Sequence, residues 1–595
     1  MSFEKFSAEI GKLLLDENDR NQTQKKVKNY LNNISGKIIG NRTVDSFFGK
    51  LQKKAASDYE IIKKHYDSKE SKNEKIRRIQ EIFFPENLLD YEKTAEDIRK
   101  KRRVRITGKS ENQVKNPYKE ILITANALLT MPEDGSNLPE DFIKKIDFTE
   151  KQKYWYDHPV PIDAPDSENE IIYGLTKLNE SLSVETDEKV TVVLSVSCTH
   201  DSLNTIAKDY LREIFKNYKL GRIKVYAFTE EDVGKMLNLI FSGNNEKYNK
   251  IKKTIGVQGK YGRHYSFLKA VAAFWKYYVD SNIKATFKID LDQVFDQKTL
   301  KKYTGKYAFE NFKDDFWGAS GTDSNGEEVR LGMIAGSLVN DYDIDKSLFI
   351  PDVKKPDSSE MAYDKFIFNS QKPQYISTIA EMSTRYKRGD NPIIRYHVTG
   401  GTSGILVEDL ISYKPFTPGF IGRAEDQAFI LSVIDKKVNG KYLRYYHSDS
   451  LVMRHDKHSL VKRTIEKSET SKMVGDYERI LLFSYYADKI LNKYDYIKEE
   501  LFPFTACFIS KIPYIIIYFR ALLKAYALAG ENEVDAEEFL LNLSDRLNNV
   551  IEHMDNDYYY EQYFKEKQAW EDFYNHFDGY KSFPKSFISS LSVIS

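Results

Sequence analysis

Short apolar runs alternate with helical stretches in the middle of the chain. VTVVLSVSC (190–198) and IKVYAF (223–228) have the composition of buried strands, and KATFKIDLDQVF (284–295) opens with alternating apolar residues. Helical spacing separates these runs, from about residue 202 to 218 and from about 265 to 279. Strands that alternate with helices of this length predict right-handed βαβ units, so we expect an α/β fold with a mostly parallel sheet.

Both ends of the chain have a helical pattern instead. Phe3, Phe6 and Ile10 recur at helical spacing near the start, and DAEEFLLNLSDRLNNVIEHM (535–554) is the clearest helix near the end. We therefore predict three regions: a mainly helical N-terminal region (1–185), an α/β domain (186–465) and a helical C-terminal domain (466–595).

Composition indicates a soluble globular protein with more than one domain. The chain has 595 residues, 41% hydrophobic and 30% charged, and its net charge of +1 gives no field that would attract nucleic acid. Cys198 and Cys507 are far apart in sequence, which argues against a disulfide framework or a cysteine zinc site. We expect a cytoplasmic protein with no nucleic-acid partner.

Apolar runs in the sequence are too short or too interrupted to span a membrane. The N-terminus lacks the apolar core of a signal peptide. The most apolar stretch, 507–530, contains Lys511, Arg520 and Lys524, and it falls short of about 20 uninterrupted apolar residues. We predict a buried helix there, with a helix lying on the membrane surface, and thus peripheral membrane contact, as the alternative.

Two aspartates close the third predicted strand. Asp290 and Asp292 follow the alternating residues Ala285, Phe287 and Ile289. If the alternation continues, both carboxylates share one strand face about 6–7 Å apart, where they repel each other. A fold tolerates this arrangement when a cation or a reaction uses both groups.

Three hypotheses explain these aspartates. They are surface residues at a strand end, or Asp290 is the nucleophile of a haloacid-dehalogenase-like phosphatase with Asp292 as acid/base, or both bind a divalent metal on a nucleoside diphosphate. The phosphatase motif normally lies on the first strand of its domain, and at least two predicted strands precede this one. Mg²⁺ or Mn²⁺ would neutralise the repulsion and stabilise a departing diphosphate. A non-catalytic nucleotide- or sugar-binding protein also stays open.

FKIDLDQVFDQKTLKKY (287–303) resembles the DxD region of GT-A glycosyltransferases. The resemblance covers roughly residues 188–458 and implies a Rossmann-like GT-A core. It further implies a metal-dependent glycosyltransferase of the hexosyltransferase type. Such an enzyme moves a sugar from a nucleoside-diphosphate sugar to a hydroxyl of a carbohydrate or small-molecule acceptor.

The same resemblance implies a set of donor-binding residues. After the first and second predicted strands, polar residues would contact the nucleotide base and ribose, and a glycine-containing basic turn would bind the diphosphate. The predicted nucleotide contacts are Ser197, Thr199, Glu230 and Asp290, and the predicted diphosphate contact is Arg263, with Lys260 and His264 as alternatives.

A base and a third metal ligand are implied further along the chain. Glu425 and Asp426 head an apolar helix, as in the Glu-Asp motif of inverting GT-A enzymes, where Asp426 would deprotonate the acceptor; a plain helix cap is the alternative. The late histidine would be His455, beside Asp290 and Asp292, binding Mn²⁺ or Mg²⁺. His447 and His458 are the alternatives to it.

Two features depart from the common inverting pattern. The downstream Gln/Arg-x-x-Arg-Trp motif is missing, so a retaining enzyme that uses the same metal site stays open. YWYDHPVPIDAPDSENEIIYGL (154–175) has no counterpart in the resemblance. It is either a loop that closes over the active site with His158 or Asp163 reaching in, or a brace between domains.

Overall fold

The protein is represented by a computed structural model that describes residues 1–15, 19–32, 37–67, 69–133, 138–153, 159–259, 261–340, 371–381, 392–398, 401–456, 462–577, 579 and 581–594. The chain divides into two compact units. The first comprises Met1–Glu96, the described part of Val353–Ser377, and Glu469–Glu561, and the second comprises the described parts of Asp97–Asp352, Thr378–Ser468 and Gln562–Ser595.

Helices make up the first unit and flank the sheet of the second. The α-helices are Phe3–Leu14, Gln22–Leu31, Arg42–Ile62, Lys72–Phe83, Tyr91–Lys101, Pro117–Glu120, Glu140–Ile143, Glu170–Glu185, Ala207–Phe215, Glu230–Ile240, Asn245–Thr254, Tyr261–Tyr278, Gln297–Thr304, Gln371–Glu381, Val407–Tyr413, Glu425–Leu431, Lys462–Tyr485, Tyr494–Leu501, Thr505–Phe508, Pro513–Glu531, Glu533–Asp555, Tyr558–Tyr574 and Lys585–Leu591.

The strands among the described residues all belong to the second unit and form one mixed sheet. They are β1 (Arg105–Gly108), β2 (Ile121–Thr130), β3 (Val160–Pro161), β4 (Val190–Cys198), β5 (Ile223–Phe228), β6 (Ala285–Ile289), β7 (Gln293–Val294), β8 (Ser320–Thr322), β9 (Glu328–Asn340), β10 (Ile394–Arg395), β11 (Thr402–Leu406), β12 (Lys437–Val438), β13 (Lys441–His455) and β14 (Ser592–Ile594).

The core of the sheet is parallel. Along its main path the strand order is β1-β8-β9-β11-β6-β2-β4-β5-β14, and the four strands β6-β2-β4-β5 run parallel to one another. β11 is antiparallel to both β6 and β9, β13 is parallel to β9, and β14 closes the far edge antiparallel to β5. The predicted α/β class with a mostly parallel core is confirmed.

The strands predicted at 190–198 and 223–228 coincide with β4 and β5. The division of the chain differs from the predicted boundaries at 185 and 465, because β2 lies within the region expected to be helical and β14 within the C-terminal one. ILITANALLT (121–130) is an almost continuous apolar run that is buried on both faces, so it lacks the alternation that marks a half-buried strand.

An apolar helix lies at the core of the first unit. Pro513–Glu531 packs against Arg42–Ile62, Glu533–Asp555 and Gln22–Leu31, and most of its side chains are buried. The buried helix predicted within 507–530 is therefore confirmed. Among the described residues, no helix combines the length and apolarity that crossing a membrane requires.

Candidate active site

The carboxyl ends of four parallel strands meet at one edge of the sheet. In chain order β2 is the first of them, β4 the second, β5 the third and β6 the fourth, while in space they lie as β5-β4-β2-β6. The chain thus adds strands on one side of β2 and then crosses to the other side at β6. In open α/β sheets, ligands bind at such a switch point, outside the carboxyl ends of the strands. Asp290 is the first residue beyond the end of β6.

Asp290 and Asp292 do not share a strand face, because β6 ends before Asp290 and residues 291–292 form a turn. The predicted side-by-side arrangement is wrong for this reason. The Lys288 ammonium donates to Asp290 Oδ1, and Gln293 Nε2 donates to Asp290 Oδ2 at 3.1 Å. Asp290 therefore has a cationic partner of its own, which offsets the repulsion expected between the two carboxylates.

His455, at the end of β13, is the partner of Asp292. Its Nε2 lies 3.0 Å from Asp292 Oδ2, and the two side chains are 15% and 16% exposed. The surrounding backbone fixes this contact, since β13 pairs with β7 and the Asp456 N–H donates to the Asp292 carbonyl at 3.0 Å. Two residues 163 positions apart in sequence, both predicted as metal ligands, thus lie in contact.

The donor set at this contact fits a divalent cation in part. Among the described residues, no group of three or more His, Cys, Asp or Glu side chains is arranged to hold a metal ion, so the predicted triad with Asp290 is not assembled. Asp292 and His455 supply one carboxylate oxygen and one imidazole nitrogen, a pair that Mn²⁺ accepts, whereas Mg²⁺ prefers oxygen throughout. His447 is buried, with its Nε2 3.3 Å from Asp449 Oδ1, and His458 lies outside the described residues.

Glu425 and Asp426 begin the Glu425–Leu431 helix. Ala424, just before it, has φ 61°, a left-handed conformation that costs a non-glycine residue about 1–2 kcal/mol and that is concentrated at functional sites. Asp426 is 4% exposed and Glu425 is half-buried. Burial raises the pKa of both carboxyls, and the Glu425 charge raises that of Asp426 further, while the Lys288 ammonium opposes both shifts.

Two buried lysines adjoin these acidic groups, and sequence reasoning missed both. Lys269 is 1% exposed, and its ammonium donates to the Ser403 carbonyl at 2.6 Å and to Ser403 Oγ at 3.0 Å. The centroid of the Tyr265 ring lies 5.3 Å from the Lys269 ammonium and 5.8 Å from the Lys288 ammonium. For Lys269, the sequence signal of a buried lysine was its position as the lone charged residue in the apolar run FLKAVAAFW (267–275).

Arg263 and Glu230 form an ion pair that supports a turn. The guanidinium donates to both Glu230 oxygens, at 2.7 and 3.0 Å, and to the carbonyls of Thr254, Gln258 and Lys252. All five N–H donors of the arginine have partners in this way. Glu230 also accepts from two backbone N–H groups of the same turn. The predicted diphosphate and nucleotide contacts are therefore not supported here, because both side chains are engaged within the fold.

Ser197 and Thr199 are fully buried at the end of β4. Ser197 Oγ donates to the Val257 carbonyl, and Thr199 Oγ1 donates to Thr130 Oγ1 at 2.8 Å. Both hydroxyls connect β4 to its neighbours, so neither is exposed to a nucleotide in this arrangement. The structure therefore does not support Ser197 and Thr199 as contacts to the base and ribose of a nucleotide.

The remaining predicted residues are also interior or undescribed. His264 is fully buried, and desolvation, together with the charges of Lys288 and Arg263, lowers its pKa to about 3. Asp163 is buried and accepts from the Glu133 N–H at 2.9 Å. Both side chains are therefore buried within the fold. Lys260 and His158 lie outside the described residues.

No protein-family model, curated protein or solved structure matches this chain. Any function assigned to the protein therefore depends on the geometry of the sheet edge and on the sequence motifs that meet there.

Proposed function

We propose that this chain is a metal-dependent glycosyltransferase of the GT-A type that moves a sugar from a nucleoside-diphosphate sugar to an acceptor hydroxyl. The observation that carries the proposal is the contact between Asp292 and His455. The sequence resemblance implies that both residues are metal ligands. Their contact lies beyond the end of β6, next to the switch point between β2 and β6.

The strand order supports a nucleotide-binding sheet. The four parallel strands follow the order third, second, first, fourth, as do the corresponding strands of Rossmann-type sheets, and the Asp290–Asp292 turn follows the fourth. This order also bears on the phosphatase alternative. That alternative expects its aspartate after the first strand, whereas Asp290 follows the fourth of the parallel strands here.

Asp292 and His455 would hold the cation, which would supply positive charge to the departing diphosphate. Asp290 is held by Lys288 and would stay beside the metal ligands. In this proposal Asp426, next to Glu425, is the group that accepts the acceptor proton. Burial and the Glu425 charge raise the pKa of Asp426 to about 8, toward the range of a general base near neutral pH. A base in this position fits an inverting transfer.

The proposal is tested by nucleoside-diphosphate release. The full chain is incubated with a panel of sugar nucleotides and Mn²⁺ or Mg²⁺, with and without EDTA. Metal-dependent release from one donor, lost in Asp292→Asn, supports the proposal. The matched control is Asp315→Asn, which removes a carboxylate paired with Lys109 at 2.5 Å on the surface and is expected to leave release unchanged.

Two other outcomes contradict the proposal. Turnover of a generic phosphate ester that depends on Asp290, with a covalent phosphoaspartate, would assign the aspartate turn to a phosphatase. Binding of a nucleotide without release from any donor would indicate a non-catalytic binding protein.

A further inference from the structure

The helix Glu170–Glu185 packs directly on the turn that carries the two aspartates. A Cβ atom built on Gly174 would lie 2.6 Å from the Leu291 carbonyl oxygen, so only glycine permits this approach. Further along the same helix, Ser181 Oγ donates to the Phe295 carbonyl at 2.8 Å. The helix thus contacts the backbone at Leu291 within the aspartate turn and at Phe295 just after β7, from two positions about two helical turns apart.

Tyr173, next to Gly174, makes the side-chain contact of this helix with the end of β13. Its hydroxyl donates to Asp456 Oδ2. Arg454 donates two hydrogen bonds to the same carboxylate, at 2.6 and 2.7 Å. The third guanidinium nitrogen of Arg454 lies 3.3 Å from Asp296 Oδ2. Asp456 is 3% exposed, so its carboxylate is held on both oxygens inside the fold.

Asp456 connects this network to the metal ligands through the backbone. It follows His455 in sequence, and its N–H donates to the Asp292 carbonyl at 3.0 Å. A shift of Asp456 would therefore move the imidazole of His455 and the carboxylate of Asp292 relative to each other. Groups that orient ligands in this way control metal affinity even though they do not touch the metal.

We propose that Tyr173, acting through Asp456, is a positioning residue for the Asp292–His455 metal pair. The proposal rests on the proposed function for the identity of that pair. It also gives a role to the end of the 154–175 segment, in the sequence IIYGL, where Tyr173 supplies the hydrogen bond and Gly174 the close approach.

The test measures Mn²⁺ affinity directly, without turnover. Mn²⁺ alone is titrated into the full chain, and free Mn²⁺ is followed by electron paramagnetic resonance. Tyr173→Phe removes one hydroxyl and is expected to weaken Mn²⁺ binding about tenfold, at the low end of the range for groups behind metal ligands. Asp456→Asn, which removes the charge that holds Arg454, is expected to weaken binding at least as much.

Tyr218→Phe is the matched control. Its hydroxyl also donates to an aspartate, Asp166 Oδ2, at 2.6 Å, so the same substitution removes the same kind of bond elsewhere in this unit. It is expected to leave Mn²⁺ affinity unchanged. In a chain that also turns over a sugar nucleotide, saturating Mn²⁺ should restore kcat in Tyr173→Phe, which a merely structural loss would not allow.

The outcomes separate the two proposals. Wild-type Mn²⁺ affinity in a folded Tyr173→Phe chain would overturn the role of Tyr173, whatever the protein catalyses. A wild-type chain that binds no Mn²⁺ through Asp292 and His455 would overturn it as well. Binding that needs those two residues and weakens in Tyr173→Phe, without release from any sugar nucleotide, would overturn the proposed glycosyl transfer and leave the positioning role standing.

Discussion

Two acid–base pairs lie near the carboxyl edge of the parallel strands. The resemblance implies that Glu230 and Arg263 contact the donor nucleotide and its diphosphate, and that Asp292 and His455 hold a metal on that diphosphate. In the Glu230–Arg263 pair, all five N–H donors of the arginine bind the Glu230 carboxylate and backbone carbonyls. In Asp292–His455 the imidazole Nε2 lies 3.0 Å from a carboxylate oxygen, and both side chains are about 15% exposed. The Glu230–Arg263 pair thus holds a turn of the fold, whereas Asp292–His455 is the pair that we propose as the metal site, although the family resemblance implied a donor-binding role for both.

The largest effect expected from this comparison is on catalysis. Asp292→Asn removes the charge that would hold the cation, so metal-dependent release of nucleoside diphosphate should fall by about 100-fold or more. The urea unfolding midpoint should stay close to wild type. Equal loss of release in Arg263→Ala, measured per folded molecule, would break the distinction between the two pairs.

Arg263→Ala should act on stability instead. It leaves Glu230 without its cation and the turn at 252–258 without its donors, so the free energy of unfolding should fall by about 3 kcal/mol. Urea unfolding measures this loss. The matched variant Arg77→Ala, whose side chain is 73% exposed beside Glu81, should cost less than about 1 kcal/mol. If the Arg263→Ala chain keeps wild-type stability but loses sugar-nucleotide binding, Arg263 is a donor-binding residue.

The parts of the fold that sequence analysis predicted are those with a local signal. β4 and β5 were found to the residue because each is a short apolar run between helices. β2 was missed, although it is the first strand of the parallel core, since its continuous apolar run shows no period and lies in a Lys- and Glu-rich region. Burial on both faces, which removes the alternation, is a property of the assembled sheet.

Proximity within the candidate site could be predicted in part, and the hydrogen-bond partners of its side chains could not. A family resemblance paired Asp292 with His455 across the chain. The donors of Arg263 are consumed by backbone carbonyls, which carry no side-chain signal in a sequence. Lys269 and Lys288 were missed for a related reason, because a buried lysine is stabilised by partners that only the folded chain brings together.

The tight approach under the aspartate turn offers a third, smaller effect. In Gly174→Ala the new Cβ would meet the Leu291 backbone, so overpacking should cost about 1–3 kcal/mol and weaken Mn²⁺ binding at Asp292–His455. In the control Gly49→Ala a Cβ meets nothing within 4 Å, and this helical position should gain about 0.5–1 kcal/mol. Gly174→Ala with wild-type stability and Mn²⁺ affinity would show that the turn is not held by this helix.

The smallest effect is a pH dependence of stability at Glu566, which contacts the loop that leads into Glu425 and Asp426. Glu566 is buried and accepts from the Gly419 N–H at 2.7 Å. Desolvation raises its pKa to about 7 from an ordinary 4.5, against bonds from Gly419 and Gln562 and the charge of Arg263. The folded chain therefore binds this proton more tightly than the unfolded chain, so the contribution to stability is full below about pH 4.5 and lost as the pH rises through about 7.

Glu566→Gln keeps an oxygen for the Gly419 N–H and stays neutral at every pH. Relative to this variant, the wild-type free energy of unfolding should fall between pH 4.5 and 7.5 by on the order of 2 kcal/mol, measured by urea unfolding at each pH. Glu561→Gln, an exposed glutamate of the same helix, should give no such trend. If the free energies of unfolding of wild type and Glu566→Gln run parallel with pH, the Glu566 carboxylate ionises without a free-energy cost. The Arg263 charge would then stabilise this carboxylate more than the hydrogen bonds from Arg263 to Glu230 indicate.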